Sequence, residues 1–226
     1  MKISVLGAGR WGTFIAWYLN RIGNDVTVYG RSTSESFLKL KETRSNDYVT
    51  LPESVKFSFD LDESVSEADV TVISVGAQNL RSLLQNMGEY KKQKTFVLCM
   101  KGIECDTGKR LTEVAIEEGV DKNKVAVWVG PGHIQEFVRE KPNCMVIDSY
   151  SEELTKFIAD SFRSDLIRFY YGDDVIGSEV GAAAKNVLGI AAGVLDGLGL
   201  ETLKGALMAR GAREVSRLIA AMGGNP

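Results

Sequence analysis

The sequence predicts an α/β protein: a doubly wound, mostly parallel sheet over residues 1–176, then a short all-helical domain over residues 177–226. Three observations carry that expectation. Short β-rich runs alternate with helical patterns through about residue 170, the order that builds parallel βαβ units. Several runs are apolar at consecutive rather than alternate positions, as in strands covered on both faces. After Gly177 the β-branched runs stop, and Ala and Gly dominate.

Ile3–Leu6 reads as the first strand. It is too short for the apolar part of a signal peptide, and it runs directly into glycines. Gly12–Ile22 reads as the helix that follows. Val26–Tyr29, Val70–Val75, Thr95–Met100, Val125–Val129, Cys144–Ile147 and Ile167–Tyr170 read as further strands, and Ser151–Phe162 as a second crossover helix. In the C-terminal part Gly189, Gly193 and Gly197 recur every fourth residue, as do Gly177 and Gly181. Glycine inside a helix costs about 1 kcal/mol against alanine, so close packing has to compensate. A small-residue face that meets the sheet domain or a second copy of the chain, as in a homodimer, is the expectation. The sequence closes on Gly223-Gly224-Asn225-Pro226, which reads as a turn after which another helix would follow.

Composition narrows the function classes. In 226 residues, 44% are hydrophobic and 25% charged, with a net charge of −3. That excludes a disordered tail protein, a coiled coil and a disulfide-built miniprotein. It leaves no basic field for nucleic acid or an anionic membrane. The run Val187 to Leu200 is too short to cross a bilayer and contains Asp196. Cys99, Cys105 and Cys144 are an odd set without CxxC spacing, which argues against disulfides and zinc and for the reducing cytoplasm. Cys99 and Cys144 read as core, Cys105 as more exposed. With one histidine, His133, no His-based metal cluster can form, and no metal is expected.

Gly7-Ala8-Gly9-Arg10-Trp11-Gly12 matches GxGxxG. Glycine-rich turns are common, but this one follows a strand and opens a helix, the context of a Rossmann-type dinucleotide site. Gly7 would allow the tight turn, Gly9 the approach of backbone to pyrophosphate, and Gly12 the close packing of helix on strand. The amides at the helix start, from Arg10 and Trp11 on, would hold the anion. An NAD-selective site places a carboxylate about 20 residues further on. Here Tyr29-Gly30-Arg31-Ser32 offers none. Arg31 can pair with a 2′-phosphate and Ser32 can donate a hydrogen bond, so NADP, or NADP and NAD together, is the expected cofactor. A solvated surface arginine is the plain alternative.

Two lysines stand out. Lys101 follows an apolar strand, where side chains point into the ligand crevice. Lys185 lies among small residues in Gly181-Ala182-Ala183-Ala184-Lys185-Asn186. There it is expected to be partly desolvated, which would lower its pKa and suit it to proton transfer. Trp11 and Trp17 read as packing residues.

These residues together resemble the bacterial type of NAD(P)-dependent glycerol-3-phosphate dehydrogenase. The resemblance rests on the glycine loop, Lys101-Gly102-Ile103-Glu104, Val129-Gly130-Pro131-Gly132-His133 with Glu136, Asp174-Val175-Ile176-Gly177, Glu179-Val180-Gly181, Lys185-Asn186-Val187, Asp196-Gly197-Leu198-Gly199 and Ala209-Arg210-Gly211. It covers almost the whole chain. It implies interconversion of dihydroxyacetone phosphate and sn-glycerol 3-phosphate by hydride transfer. It also implies Lys185 as general acid/base, Lys101 in polarising the C2 oxygen and in substrate and cofactor binding, and Asn186, Gly130 and His133 beside the substrate. Other readings are a non-catalytic or split nucleotide-binding module, and a dehydrogenase for an unphosphorylated hydroxy or keto acid.

The sequence departs from the family pattern at four points. Val75-Gly76-Ala77-Gln78 replaces a Val-Pro-Ser turn, Gly132 replaces a serine, and Glu201-Thr202-Leu203-Lys204 replaces an Asn-Thr-Lys stretch. The family also runs on for further residues, including an Arg-Asn pair that grips the substrate phosphate. Arg210, Arg213 and Arg217 share a helix face and are substitutes for that grip, unless they are simply solvated.

Overall fold

A computed structural model describes residues 1–225. Eight strands form one sheet: β1 (Lys2–Leu6), β2 (Asp25–Tyr29), β3 (Lys56–Ser58), β4 (Val70–Ile73), β5 (Thr95–Leu98), β6 (Val125–Val129), β7 (Asn143–Ser149) and β8 (Ile167–Tyr171). Their order is β3-β2-β1-β4-β5-β6-β7-β8. All neighbours are parallel except β6 and β7. The first six strands follow the doubly wound 3-2-1-4-5-6 order, and the crevice at its switch point lies beyond the carboxyl ends of β1 and β4. β3 is not legible in the sequence: three residues, Lys-Phe-Ser, lie at the sheet edge without an apolar run.

The helices are α1 (Arg10–Arg21), α2 (Glu35–Thr43), α3 (Leu61–Ser66), α4 (Leu80–Gln85), α5 (Leu111–Glu117), α6 (Ile134–Val138), α7 (Glu152–Phe162), α8 (Val175–Gly197) and α9 (Glu201–Ala221). Ser34, Asp60 and Ser151 cap α2, α3 and α7 by accepting from backbone amides in the first turn. The strands are buried from both sides, as their apolar runs require. On one face Phe14 and Tyr18 of α1 meet Trp128 of β6 and Phe162 of α7. The Tyr18 hydroxyl donates to the Phe162 carbonyl oxygen at 2.5 Å. On the other face Leu80, Leu84, Leu111 and Val114 pack with Val175 and Ala182 of α8.

α8 starts at Val175, so its first turns belong to the core of the sheet domain while its later turns leave it. α9 returns antiparallel to α8. Gly199 makes the turn at φ +69°, Lys204 pairs with Asp196 at 2.8 Å, and the Asn225 amide donates to Asp174 Oδ2 at 2.8 Å. Of the regularly spaced glycines, Gly177 alone faces α9, where a Cβ would lie 3.5 Å from Ile219 Cγ2. A Cβ on Gly181, Gly189, Gly193 or Gly197 would meet nothing within 4 Å, whereas one on Gly211 would lie 2.2 Å from Leu188 Cδ2. Cys144 also departs from expectation. Cys99 is buried, but Cys144 is exposed, because the strand near the sheet margin alternates there between a covered and an open face.

Candidate functional site

The glycine loop turns between β1 and α1 against the end of β4. Gly7 has φ +110°, and a Cβ there would lie 2.4 Å from the Ser74 carbonyl oxygen. A Cβ on Gly12 would lie 2.0 Å from the Gly7 carbonyl oxygen. Both glycines are therefore required by the protein itself. Gly9 differs: its backbone is extended (φ −72°, ψ −179°), and a Cβ there would meet no protein atom within 4 Å. Its bare Cα faces open space at the mouth of the turn. α1 has no side-chain cap and no acidic residue in its first turn, so its leading amides keep their donors for an anion. This cradle fits a pyrophosphate.

A cleft of about 570 Å³ extends from the loop, lined by Gly7, Gly9, Tyr29, Arg31, Ser74 and Asn79 among others. Arg31 is exposed at its edge. Ser32 is exposed beside it but does not line it; Ser34 and Ser36 do. Ser74, Asn79, Ser82 and Asn86 complete its polar wall, and no motif announced them. Their signal was only position, since loops at the carboxyl ends of parallel strands line the crevice. Arg10 donates to Gln135 Oε1 at 3.1 Å and stacks over Tyr48 at 4.3 Å. Trp11 is half-buried against Phe14 and Phe137, at 5.1 and 6.4 Å between ring centres, and so ties the loop to α6.

Lys101 stands on the loop after β5, next to Gly102, whose φ is +149°. Its residue reaches solvent, yet partial enclosure of the ammonium, and then the facing ammonium of Lys185, hold its pKa below the ordinary lysine range. The buried Cys99 thiol below it is pushed well up by burial. Lys185 itself is exposed on α8, against the expectation of a desolvated lysine. Ala182 is buried and Ala183 and Ala184 half-buried, but the next turn has left the core. The enclosed ammonium of the pair is that of Lys101. Asn186 is exposed beside Lys185.

Gly130 ends β6 at φ +139°, and a Cβ there would lie 3.0 Å from Met145 Cα. His133 is exposed at the start of α6, where its carbonyl accepts from Glu136 and Phe137 and its ring makes no capping bond. A Cβ on Gly132 would lie 2.7 Å from the Phe137 ring, so the missing serine has a packing reason. Gln78, another departure, holds the Lys101 loop: its Nε2 donates to the Ile103 carbonyl and its Oε1 accepts from Cys105, each at 2.9 Å. Arg210 and Arg217 are 83% and 73% exposed beside Glu214, a solvated face of α9. Among the described residues no group of His, Cys, Asp and Glu is placed to hold a metal ion.

Comparison with known proteins agrees with this geometry. The family model described as NAD-dependent glycerol-3-phosphate dehydrogenase N-terminus matches residues 2–155, and its C-terminus counterpart matches residues 174–226. A relative from Thermoanaerobacter sp. (strain X514), named glycerol-3-phosphate dehydrogenase (NAD(P)+), is 38% identical over all of this chain and 69% of its own length. One of the same name from Fusobacterium nucleatum is 36% identical over 99% of this chain and 69% of its own length. A crystal structure of glycerol-3-phosphate dehydrogenase from Coxiella burnetii superposes with a TM-score of 0.87 at 28% identity, covering 99% of this chain and 70% of that one.

Proposed function

We propose that this chain, which belongs to the NAD-dependent glycerol-3-phosphate dehydrogenase family, is an NAD(P)-dependent oxidoreductase that interconverts dihydroxyacetone phosphate and sn-glycerol 3-phosphate. The observation that supports the chemistry is the nearness of two lysines, Lys101 on the loop after β5 and Lys185 on α8, whose positive charges act on each other. Two like charges at close range repel. An oxygen that gains negative charge between them turns that repulsion into attraction, and such fixed charges need no reorganisation. When bound, the nicotinamide supplies the hydride at C4. Lys185 gives a proton to the C2 oxygen in reduction and takes it back in oxidation. Lys101 polarises the same oxygen and reaches both substrate and dinucleotide. Asn186, Gly130 and His133 border the substrate. The amides from Gly9 to Gly12 take the pyrophosphate, with Arg10 and Trp11 framing the loop, and Arg31 meets the adenosine end, with Ser32 beside it outside the cleft wall. Arg31 favours NADP by pairing with the 2′-phosphate, while NAD still fits the cleft.

Residues 177–226 form the substrate side of the site. No helix among the described residues is long and apolar enough to cross a membrane. A cytoplasmic site of action agrees with the exposed thiols of Cys105 and Cys144. A homodimer through α8 agrees with its apolar stripe, where Val187, Ile190, Val194 and Leu198 are 57–71% exposed. Light scattering tests it, with a monomer mass at micromolar concentration as the opposing result.

Steady-state oxidation of NADPH with and without dihydroxyacetone phosphate tests the activity. Substrate-dependent oxidation is expected. A folded chain that binds NADPH but oxidises none of it would reduce this reading to cofactor binding.

A further inference from the structure

The two lysines stand on different elements, and one buried ion pair joins those elements. Arg110, at the start of α5, and Glu179, in the second turn of α8, are 4% and 6% exposed. Arg110 Nη1 donates to Glu179 Oε2 at 2.7 Å. Thr112 holds both Glu179 carboxylate oxygens: its amide donates to Oε1 at 2.9 Å and its hydroxyl to Oε2 at 2.5 Å. Arg110 Nη2 reaches the Tyr150 hydroxyl at 3.1 Å and Glu113 at 3.3 Å, so the guanidinium is also held on its far side.

The same short segment is fixed to the Lys101 loop. Ile103 and Arg110 form a β-bridge, and Glu104 and Lys109 share a backbone hydrogen bond at 2.9 Å. Gln78 and Arg81 brace that loop from below, Arg81 by two bonds of 2.8 Å to Glu104. Thus residues 103–112 touch the Lys101 loop at one end and α8 at the other. Lys185 is six residues beyond Glu179. That is about 9 Å along the helix axis and about a third of a turn away around it. The Glu179 bonds, together with the Ser178 hydroxyl donating to Asp148 Oδ2 at 2.7 Å and the burial of Val175, Val180 and Ala182, therefore set how far α8 slides and how it is rolled. The later, exposed half of α8 packs against α9.

We propose that the Arg110–Glu179 pair, with Thr112, is a positioning device that holds the Lys185 ammonium against that of Lys101. It touches neither substrate nor cofactor. The inference rests on the catalytic reading of the two lysines given above. The physical reason for a charged clamp is directional: three hydrogen bonds converge on one carboxylate and fix its orientation more tightly than apolar contact alone would. A buried ion pair is weak evidence for stability, but it specifies register well. Displacement of a reacting group by about 1 Å can cost about 100-fold in rate.

The test uses Glu179→Gln and the double variant Arg110→Met/Glu179→Leu. A lone buried charge destabilises strongly, whereas apolar replacement of both partners is often tolerated, so the double variant keeps the question open if the single one unfolds. The expected result is a kcat lowered at least tenfold with the NADPH Kd changed less than twofold. A second readout needs no turnover. In protein labelled with 15N-lysine, with the Lys101 signal assigned through Lys101→Arg, the Lys101 titration is followed by NMR. Cys99 and Lys185 are the charged or titratable neighbours that act on it. Moving Lys185 away removes a like charge, so the Lys101 midpoint rises, in the direction given by Lys185→Met. A folded variant with an unchanged Lys101 titration would overturn the clamp whatever its activity. Moved titration in a chain with no dehydrogenase activity would uphold the clamp and count against the catalytic reading alone.

Discussion

Replacing Gly9 with alanine, and separately Gly12 with alanine, distinguishes a glycine kept for a ligand from one kept for the fold. At Gly9 the backbone is already extended and the new Cβ meets no protein atom within 4 Å. The folded protein has no reason to object, and the stiffer unfolded chain adds about 0.4–1 kcal/mol of stability. At Gly12 the Cβ would lie 2.0 Å from the Gly7 carbonyl oxygen, so the backbone of the turn has to move. Overpacking of that kind costs about 1–3 kcal/mol, or about 2–12 °C in Tm for a chain of this size. Binding separates the two in the opposite sense. An added methyl at Gly9 stands where pyrophosphate must approach, and losing charge-assisted hydrogen bonds of about 1.5–3 kcal/mol weakens NADPH binding about 10- to 150-fold. The assays are a thermal melt and a fluorescence titration of NADPH. A Gly9→Ala variant that melts at or slightly above the parent temperature and binds at least tenfold more weakly fits the reasoning. One that binds NADPH within threefold of the parent refutes the placement of the pyrophosphate.

Lys185→Ala should lower kcat by about 10²–10⁴-fold, the range for loss of a general acid/base, with NADPH affinity unchanged in the same titration. Persistent turnover would remove Lys185 from the proton path. Arg31→Ala should reduce the preference for NADPH over NADH about tenfold, as expected for one lost charge-assisted contact, and equal kcat/KM ratios before and after would show that Arg31 does not read the 2′-phosphate. Hydrogen bonds from Arg81 and Thr107 hold the Glu104 carboxyl down from 4.5 to about 2. A carboxyl lowered in the folded state contributes stability above its ordinary pKa and loses it as pH falls toward the folded value. The Tm should therefore drop between pH 4.5 and 2, and Arg81→Met should melt lower at pH 7 and show a smaller drop across that window. Parallel acid profiles for the two proteins would contradict that assignment.

Much of the cofactor half of the site is local in origin, which made it legible. Gly7, Gly9 and Gly12 lie within six residues, and a strand–turn–helix fixes their geometry whatever surrounds it. The consecutive apolar runs at β1, β4, β5 and β6 likewise announced strands covered on both sides. β3 escaped because three edge residues bury too little to leave a pattern. The exposure of Lys185 escaped for a different reason. A small-residue neighbourhood implies burial only when another element covers it, and α8 leaves the sheet domain one turn earlier.

Residue type and short spacing were enough to read the α/β class and the dinucleotide loop, whereas Lys101 and Lys185 were singled out by position and by family resemblance. It took the folded chain to bring Lys185 within electrostatic reach of Lys101, to place the partial enclosure on Lys101, and to join their supports through Arg110 and Glu179 across 69 positions. Contacts over such separations follow from how helices settle on a sheet. That settling is the sum of many packing and hydrogen-bond terms, and no one segment carries it alone.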